Sequence, residues 1–206
     1  MECKNEYEKK YTKEGYTKIL GIDEAGRGPL AGPLVVAGVC FPKGYAHAEI
    51  YDSKKISEKK REELFDVIKN DAQYYDIIIV DIEEIDKLNI YQATKKAMMQ
   101  IANDAEDIEV VLSDAMPFTL SNMIVEPIVK GDQKSVSIAA ASILAKVTRD
   151  RIMNMYDEKY PEYGFKNHKG YPTKQHLAAL EKYGVLDIHR KSYGPVARLR
   201  QLKFDI

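Results

Sequence analysis

Only two cysteines occur in 206 residues. Cys3 lies in a polar segment, Cys40 ends an apolar run, and no Cys-x-x-Cys pair exists, so a disulfide scaffold and a zinc knuckle are both excluded. Cys40 reads as a small buried hydrophobe. Apolar runs of bilayer-spanning length are missing too, and no membrane partner is expected. The opening stretch carries Glu2, Lys4, Glu6, Glu8, Lys9 and Lys10, which rules out the apolar core of a secretory leader and points to the cytoplasm. With 12 Gly and 8 Pro the chain is neither collagenous nor disordered, and 45% hydrophobic with 31% charged residues is a globular composition. Its length supports one substantial core. One domain over 1–206 is expected, with a polar extension at 1–16 and a helical portion from about 157 to 206, acting as a monomer.

The net charge of −1 conceals an asymmetry. Residues 1–129 hold 16 Lys and Arg against 24 Asp and Glu, a balance of −8; residues 130–206 hold 15 against 8, a balance of +7. Ordinary solvated surface accounts for such a split as readily as a polyanion-binding face beside an acidic cluster.

Patterning predicts an α/β domain. Lys18 to Ile22 and Leu34 to Phe41 flank a glycine-rich turn, as adjacent buried strands do. Ser57 is placed to cap a helix with Leu64, Val67 and Ile68 at helical spacing. The unbroken run Ile77 to Val80 predicts a central strand covered on both faces. Asn89 caps a second helix carrying Ala93, Ala97, Met98 and Ile101, and Glu109 to Leu112 forms a strand ending at Asp114. A short strand near Ile124 precedes a long alanine-rich helix from Val136 to Tyr156; Pro172-Thr173 starts a last helix that Gly184 stops. No repeat occurs, and one mixed central sheet with a helical C-terminal portion is expected.

Acids stand where apolar segments end: Asp23-Glu24 after Leu20-Gly21-Ile22, Asp114 after Val110 to Ser113, and Asp132 after Lys130-Gly131. Asp and Glu are poor strand residues and costly to bury unpaired, so a shared cation would explain them. Gathered carboxylates raise one another's pKa, and a hard cation such as Mg²⁺ or Mn²⁺ relieves this. Two-metal phosphodiester hydrolysis wants such a set. Each acid alone is equally well a turn residue or a cap.

The stretch Gly21-Ile22-Asp23-Glu24-Ala25-Gly26-Arg27-Gly28-Pro29-Leu30-Ala31-Gly32-Pro33 is the most specific in the chain. Its glycines let backbone N–H groups approach a phosphate or sugar, with Arg27 alongside; it matches neither a P-loop nor Gly-x-Gly-x-x-Gly. Together with Asp52-Ser53-Lys54-Lys55, Lys130-Gly131-Asp132, Ser137 to Lys146, Lys169 to Thr173 and Ile188-His189-Arg190, it resembles bacterial ribonuclease HII over about residues 17 to 200. That resemblance implies the ribonuclease H-like α/β fold and an endonuclease that hydrolyses the RNA strand of RNA–DNA hybrids. It also implies incision 5′ to single ribonucleotides in duplex DNA, leaving 3′-OH and 5′-phosphate ends. Asp23, Glu24, Asp114 and Asp132 would be the catalytic, metal-binding acids, holding two Mg²⁺ or Mn²⁺ ions with substrate. Gly26, Arg27 and Gly28 would sense the ribose 2′-OH, Tyr171 would pack on the neighbouring deoxyribose, and Lys54, Lys55 and Lys146 would contact phosphate or active site. Two positions depart from the family pattern: Ala115 follows Asp114 where many members carry glycine, and Tyr193 stands where Phe is usual.

His168, His176 and His189 match no helix-borne ligand pair and read as hydrogen-bonded histidines, His189 shaping the C-terminal helices. Gln201-Leu202-Lys203-Phe204 faintly resembles peptides that dock on replication sliding clamps, although a terminal amphipathic stub explains it as well. The alternatives are a ribonuclease HIII-like enzyme, which normally lacks the turn's arginine, and a non-catalytic hybrid-binding module.

Overall fold

The structure, a computed structural model, describes residues 5–202. Its elements run α1 (Glu6–Lys13), β1 (Ile19–Ala25), β2 (Leu34–Cys40), α2 (Glu58–Asp71), β3 (Tyr74–Val80), α3 (Ile82–Leu88), α4 (Ile90–Asp104), β4 (Val110–Asp114), β5 (Ile124–Ile128), α5 (Val136–Lys159), α6 (Phe165–His168), α7 (Lys174–Tyr183) and α8 (Gly194–Leu202). Packing divides the chain into two compact units. The first comprises Met1–Ala25, Val35–Ile78 and Thr94–Val147; the second comprises Gly26–Leu34, Ile79–Ala93 and Thr148–Ile206.

The five strands form one mixed sheet in the order β3-β2-β1-β4-β5. β1 pairs antiparallel with β2 and parallel with β4, and β4 pairs parallel with β5. Every residue of β2 is buried, as are Leu20, Ile22, Val110, Val111 and Leu112. α5 lies close on β1: a Cβ at Gly21 would collide with the backbone of Ser137 and Ile138. That approach requires glycine in the strand and small residues in the helix, and Ala139, Ala140 and Ala141 are fully buried there.

The predicted caps form. Ser57 Oγ accepts from Lys60 N at 3.3 Å, Asn89 Oδ1 from Gln92 N at 3.1 Å, and Thr173 Oγ1 from His176 N at 3.2 Å; Gly184 ends α7 with φ 93°. Cys40 is buried. One reading is corrected and two elements are added. The isoleucine run is no central strand: β3 is at the sheet's edge and Ile79 is 54% exposed, because a short apolar run fits an edge or a centre equally well. The polar N-terminal segment contains α1, whose Tyr11 is buried against Ile19, Val110 and Leu112. α3 was not foreseen; Asp81 caps it by accepting from Glu84 N at 2.8 Å.

The second unit has its own core, in which Leu30, Met153, Tyr163, Phe165, Leu180 and Val196 are buried together. Among the described residues no helix is long and apolar enough to cross a membrane.

Candidate active site

Sheet register gathers the first acids. In the parallel β1–β4 pair Ile22 is opposite Ser113, so Asp23 and Asp114 follow at the same carboxyl end of neighbouring strands. In-register neighbours on parallel strands present their side chains to the same face. Asp132 arrives from the 3₁₀ turn Gly131–Gln133 that precedes α5. Gly131 N donates to Asp114 Oδ1 at 2.8 Å, tying that turn to the end of β4.

The acids also feel neighbouring charge. Asp23 is buried, and its carboxyl is held well above the usual range by burial, then by the Glu24 and Asp114 charges. Bonds from Glu24 N, at 2.7 Å, and from Ser142 oppose the rise. Asp132 is pushed up to about 6 by burial, then by Asp52 and Asp114, with Lys54 pulling the other way. Asp23 thus feels Glu24 and Asp114, and Asp132 feels Asp114, which is common to both. Among the described residues no group of three or more His, Cys, Asp or Glu is close enough to hold an ion as it stands. Like-charged carboxylates do not close up by themselves. Their all-oxygen donor set nonetheless suits a hard divalent cation, which would relieve the repulsion that raises Asp23 and Asp132.

Sequence reasoning missed a buried polar shelf beside these acids. Asp52 Oδ1 accepts from Lys54 N at 3.1 Å, and its Oδ2 lies 3.4 Å from both Lys55 Nζ and Gln133 Nε2. Ser53 Oγ and Ser142 Oγ are 2.8 Å apart and both buried, linking the Asp52–Lys55 loop to α5 and thence to Asp23. The Asp-Ser-Lys-Lys motif carried the signal, but attention fell on its cations. Lys54 and Lys55 are exposed, and Lys146 is half-buried one helical turn beyond Ser142.

The glycine turn is organised inside the second unit. Gly26 has φ 103°, and a Cβ there would strike Arg149 Nε. Arg190, fully buried, donates through Nε and Nη2 to Gly32 O at 3.1 and 3.0 Å, through Nη2 to Gly26 O at 2.6 Å and through Nη1 to Arg27 O at 3.0 Å. Arg149, 1% exposed, donates to Ala31 O and Pro33 O at 3.0 Å and Lys169 O at 2.9 Å. Burial, then the Arg190 charge, lowers Arg149 to about 10. These guanidiniums fix the turn's carbonyls while Arg27 and Gly28 remain exposed. Arg149 was not singled out from sequence, and Arg190 entered only as part of the Ile188-His189-Arg190 motif with no role assigned, since a buried arginine looks like a surface one.

Tyr171 reaches the same turn: a Cβ on Gly28 would touch its Cε1 at 3.3 Å. Its backbone is held by histidines. Leu186 N donates to His189 Nδ1 at 2.9 Å, which leaves His189 Nε2 to donate to His176 Nε2 at 3.0 Å and His176 Nδ1 to donate to Tyr171 O at 3.0 Å. Burial lowers both rings to about 4, so they are neutral near pH 7. The predicted role of His189 as a hydrogen-bonded organiser of the C-terminal helices agrees with this chain. The departure at Tyr193 acts here as well, because its hydroxyl donates to Arg27 O at 2.7 Å and accepts from Arg190 Nη1 at 2.9 Å. Ala115, the other departure, has φ 53°, a conformation that favours glycine.

The family model described as Ribonuclease HII matches residues 20–196. The chain belongs to the ribonuclease HII family. It is 55% identical to ribonuclease HII from Clostridioides difficile (strain 630), over 94% of this chain and 76% of that one. Ribonuclease HII from Acholeplasma laidlawii is 52% identical over 94% of this chain and 95% of its own length. Among solved structures, a PCNA:RNase HII complex from Archaeoglobus fulgidus is similar with TM-score 0.69 and 28% identity, covering 89% of this chain and 97% of that one. Bst-RNase HIII in complex with Mn²⁺ shares the fold, with TM-score 0.62 and 15% identity, over 92% of this chain and 71% of that one. The fold is thus ribonuclease H-like, and as a ribonuclease H the protein is an endonuclease acting on the RNA of RNA–DNA hybrids.

Proposed function

We propose that Asp23, Glu24, Asp114 and Asp132 hold two Mg²⁺ or Mn²⁺ ions with substrate and that this site cuts on the 5′ side of a ribonucleotide, in hybrids and in duplex DNA. The observation that carries the reading is the elevation of Asp23 and Asp132, by burial first and then by neighbouring carboxylates that include Asp114 in both cases, an arrangement that gains from divalent charge. Bound ions supply an activated water and a neutralised leaving oxygen. Water attacks phosphorus and the bond to the 3′ oxygen of the preceding nucleotide breaks, leaving 3′-OH and 5′-phosphate ends. Ser142 steadies Asp23, and the exposed Lys54 and Lys55 with the half-buried Lys146 meet phosphate.

Gly26, Arg27 and Gly28 read the 2′-OH with backbone groups that Arg190 holds still, and the exposed Tyr171 ring packs on the next sugar where a hydroxyl is missing. The enzyme works in the cytoplasm. The decisive assay maps cuts in a labelled duplex with one ribonucleotide under Mg²⁺, Mn²⁺ and EDTA. Asp23→Asn and Asp132→Asn should keep the fold and lose most turnover; near-normal cutting by either folded variant defeats the assignment. A sliding-clamp contact through Gln201–Phe204 is a further part of this reading, prompted by the archaeal complex with PCNA. Lys203 and Phe204 lie outside the described residues. Removal of 201–206 should abolish clamp binding in a pull-down, and unchanged binding retires the idea.

A further inference from the structure

We propose that a cavity beside α1 binds a small organic cation with an apolar or aromatic body and an amidinium or ammonium head. The cavity, about 360 Å³, lies wholly within the first unit, bounded by α1, the turn after β2 and the first turn of α5. That volume suits a small molecule. Ile19, Phe41, Pro42 and Val136 give it apolar walls. Tyr45, also at the cavity, stacks on Phe41 with ring centroids 3.9 Å apart and 10° between planes.

Two buried acceptors on this wall have no partner. Asn5 is 7% exposed; its Nδ2 donates to Tyr45 O at 3.2 Å, whereas its Oδ1 meets no donor. Asn5 occupies the N-cap position of α1, where such a side chain ordinarily accepts from the first helical amides, yet it makes no capping bond. Glu8 is held by its other oxygen: Oε1 accepts from Ser135 Oγ at 2.6 Å and from Ser137 N at 3.1 Å, while the buried Oε2 meets no donor. Unmatched buried acceptors are costly and rare, so a ligand that donates to both is their natural complement.

Charge selects the head group. The acceptors include one oxygen of the half-buried Glu8 carboxylate that is itself removed from water, where an opposite charge is felt more strongly than at the surface. Lys9, Lys13 and Lys43 also border the cavity, but all three are exposed and their charge is screened by solvent. A cation bearing two N–H donors on a flat apolar body satisfies Asn5 Oδ1, Glu8 Oε2 and the aromatic wall together. Neither Asn5 nor Glu8 belongs to the acid cluster, so occupancy is separable from catalysis.

Benzamidine tests the proposal, with benzoate as its counterpart of the same shape and opposite charge. Each is titrated into the full chain by calorimetry and followed by amide NMR shifts. Benzamidine should saturate one site and shift the Gly44 and Tyr45 amides; benzoate should not. Glu8→Gln keeps the side chain's size and should weaken benzamidine at least tenfold, with hybrid cleavage unchanged. Should that variant fail to fold, Asn5→Leu and the contrast between the two probes on the unmodified protein still decide. Absence of saturation, equal binding of benzoate, or undiminished binding by folded Glu8→Gln each overturns the proposal, the last two by removing the charge preference.

Discussion

Arg190→Met is the sharpest perturbation the structure offers. The side chain is fully buried and makes five hydrogen bonds, four to the carbonyls of Gly26, Arg27 and Gly32 and one to Tyr193 Oη. Methionine retains much of the volume and none of the donors. A hydrogen bond to a charged group contributes about 1.5–3 kcal/mol, and an acceptor left buried and unmatched costs about 1–3 kcal/mol. These do not add, and the cost of keeping a guanidinium dry disappears with it, so a net loss of about 3–5 kcal/mol is expected. For a chain of this size each kcal/mol shifts Tm by about 2–4 °C, giving a fall of about 6–20 °C. Urea unfolding supplies the free energy, with the slope showing whether the native state stays compact. Cleavage measured well below the new Tm should still fall more than tenfold, because the exposed Arg27-Gly28 segment loses its anchors. Mn²⁺ binding by the acids, read by calorimetry, should stay within twofold of the parent. Tyr193→Phe removes one hydroxyl from the same network and should cost about 1 kcal/mol. If Arg190→Met loses under 1 kcal/mol and cuts normally, the claim that buried guanidiniums fix this turn is wrong.

Other outcomes follow from single groups. Ala115→Gly relieves a left-handed alanine at about 1–2 kcal/mol, less about 0.5–1 kcal/mol of added chain entropy, so chemical denaturation should show unchanged or slightly raised stability rather than the usual loss. Without metal, Asp132→Asn should stabilise the protein at pH 7 by about 1–2 kcal/mol, since a carboxyl raised to about 6 favours the folded state only when protonated. That contribution is present at low pH and is lost as pH rises from about 4 through about 6. His176 and His189 do the opposite: with folded values near 4 against about 6.5 unfolded, their neutral pair stabilises above pH 6.5, and this is lost as pH falls toward 4. The two slopes oppose each other in the parent, and Asp132→Asn should therefore lose stability more steeply on acidification. A flat profile in that variant contradicts the neutral histidine chain.

Hydrophobic period and cap chemistry made most elements legible before any coordinates. Ser57, Asn89 and Thr173 announce helices because their side-chain oxygens answer amides three residues on, a local relation. β3 misled because an isoleucine run reports burial in general and not the strand's place in the sheet. α1 was hidden because Tyr7, Tyr11 and Tyr16 are too sparse among charges to declare a face until a core receives them.

From the chain alone came the acids, the glycine turn and the family to which they belong, since these are short motifs whose order survives without knowledge of distance. Tertiary structure decided what answers them. Asp52 sits beside Asp132 and Ser142 beside Asp23; Arg149 and Arg190 are buried as donors to loop carbonyls, and His176 passes a hydrogen bond from His189 to Tyr171. All but the short step from His176 to Tyr171 are contacts between residues well separated in sequence. Composition and periodicity are blind to such pairs, because burial and the neighbouring charge, which set both pKa and hydrogen-bond partner, exist only once the chain has closed on itself.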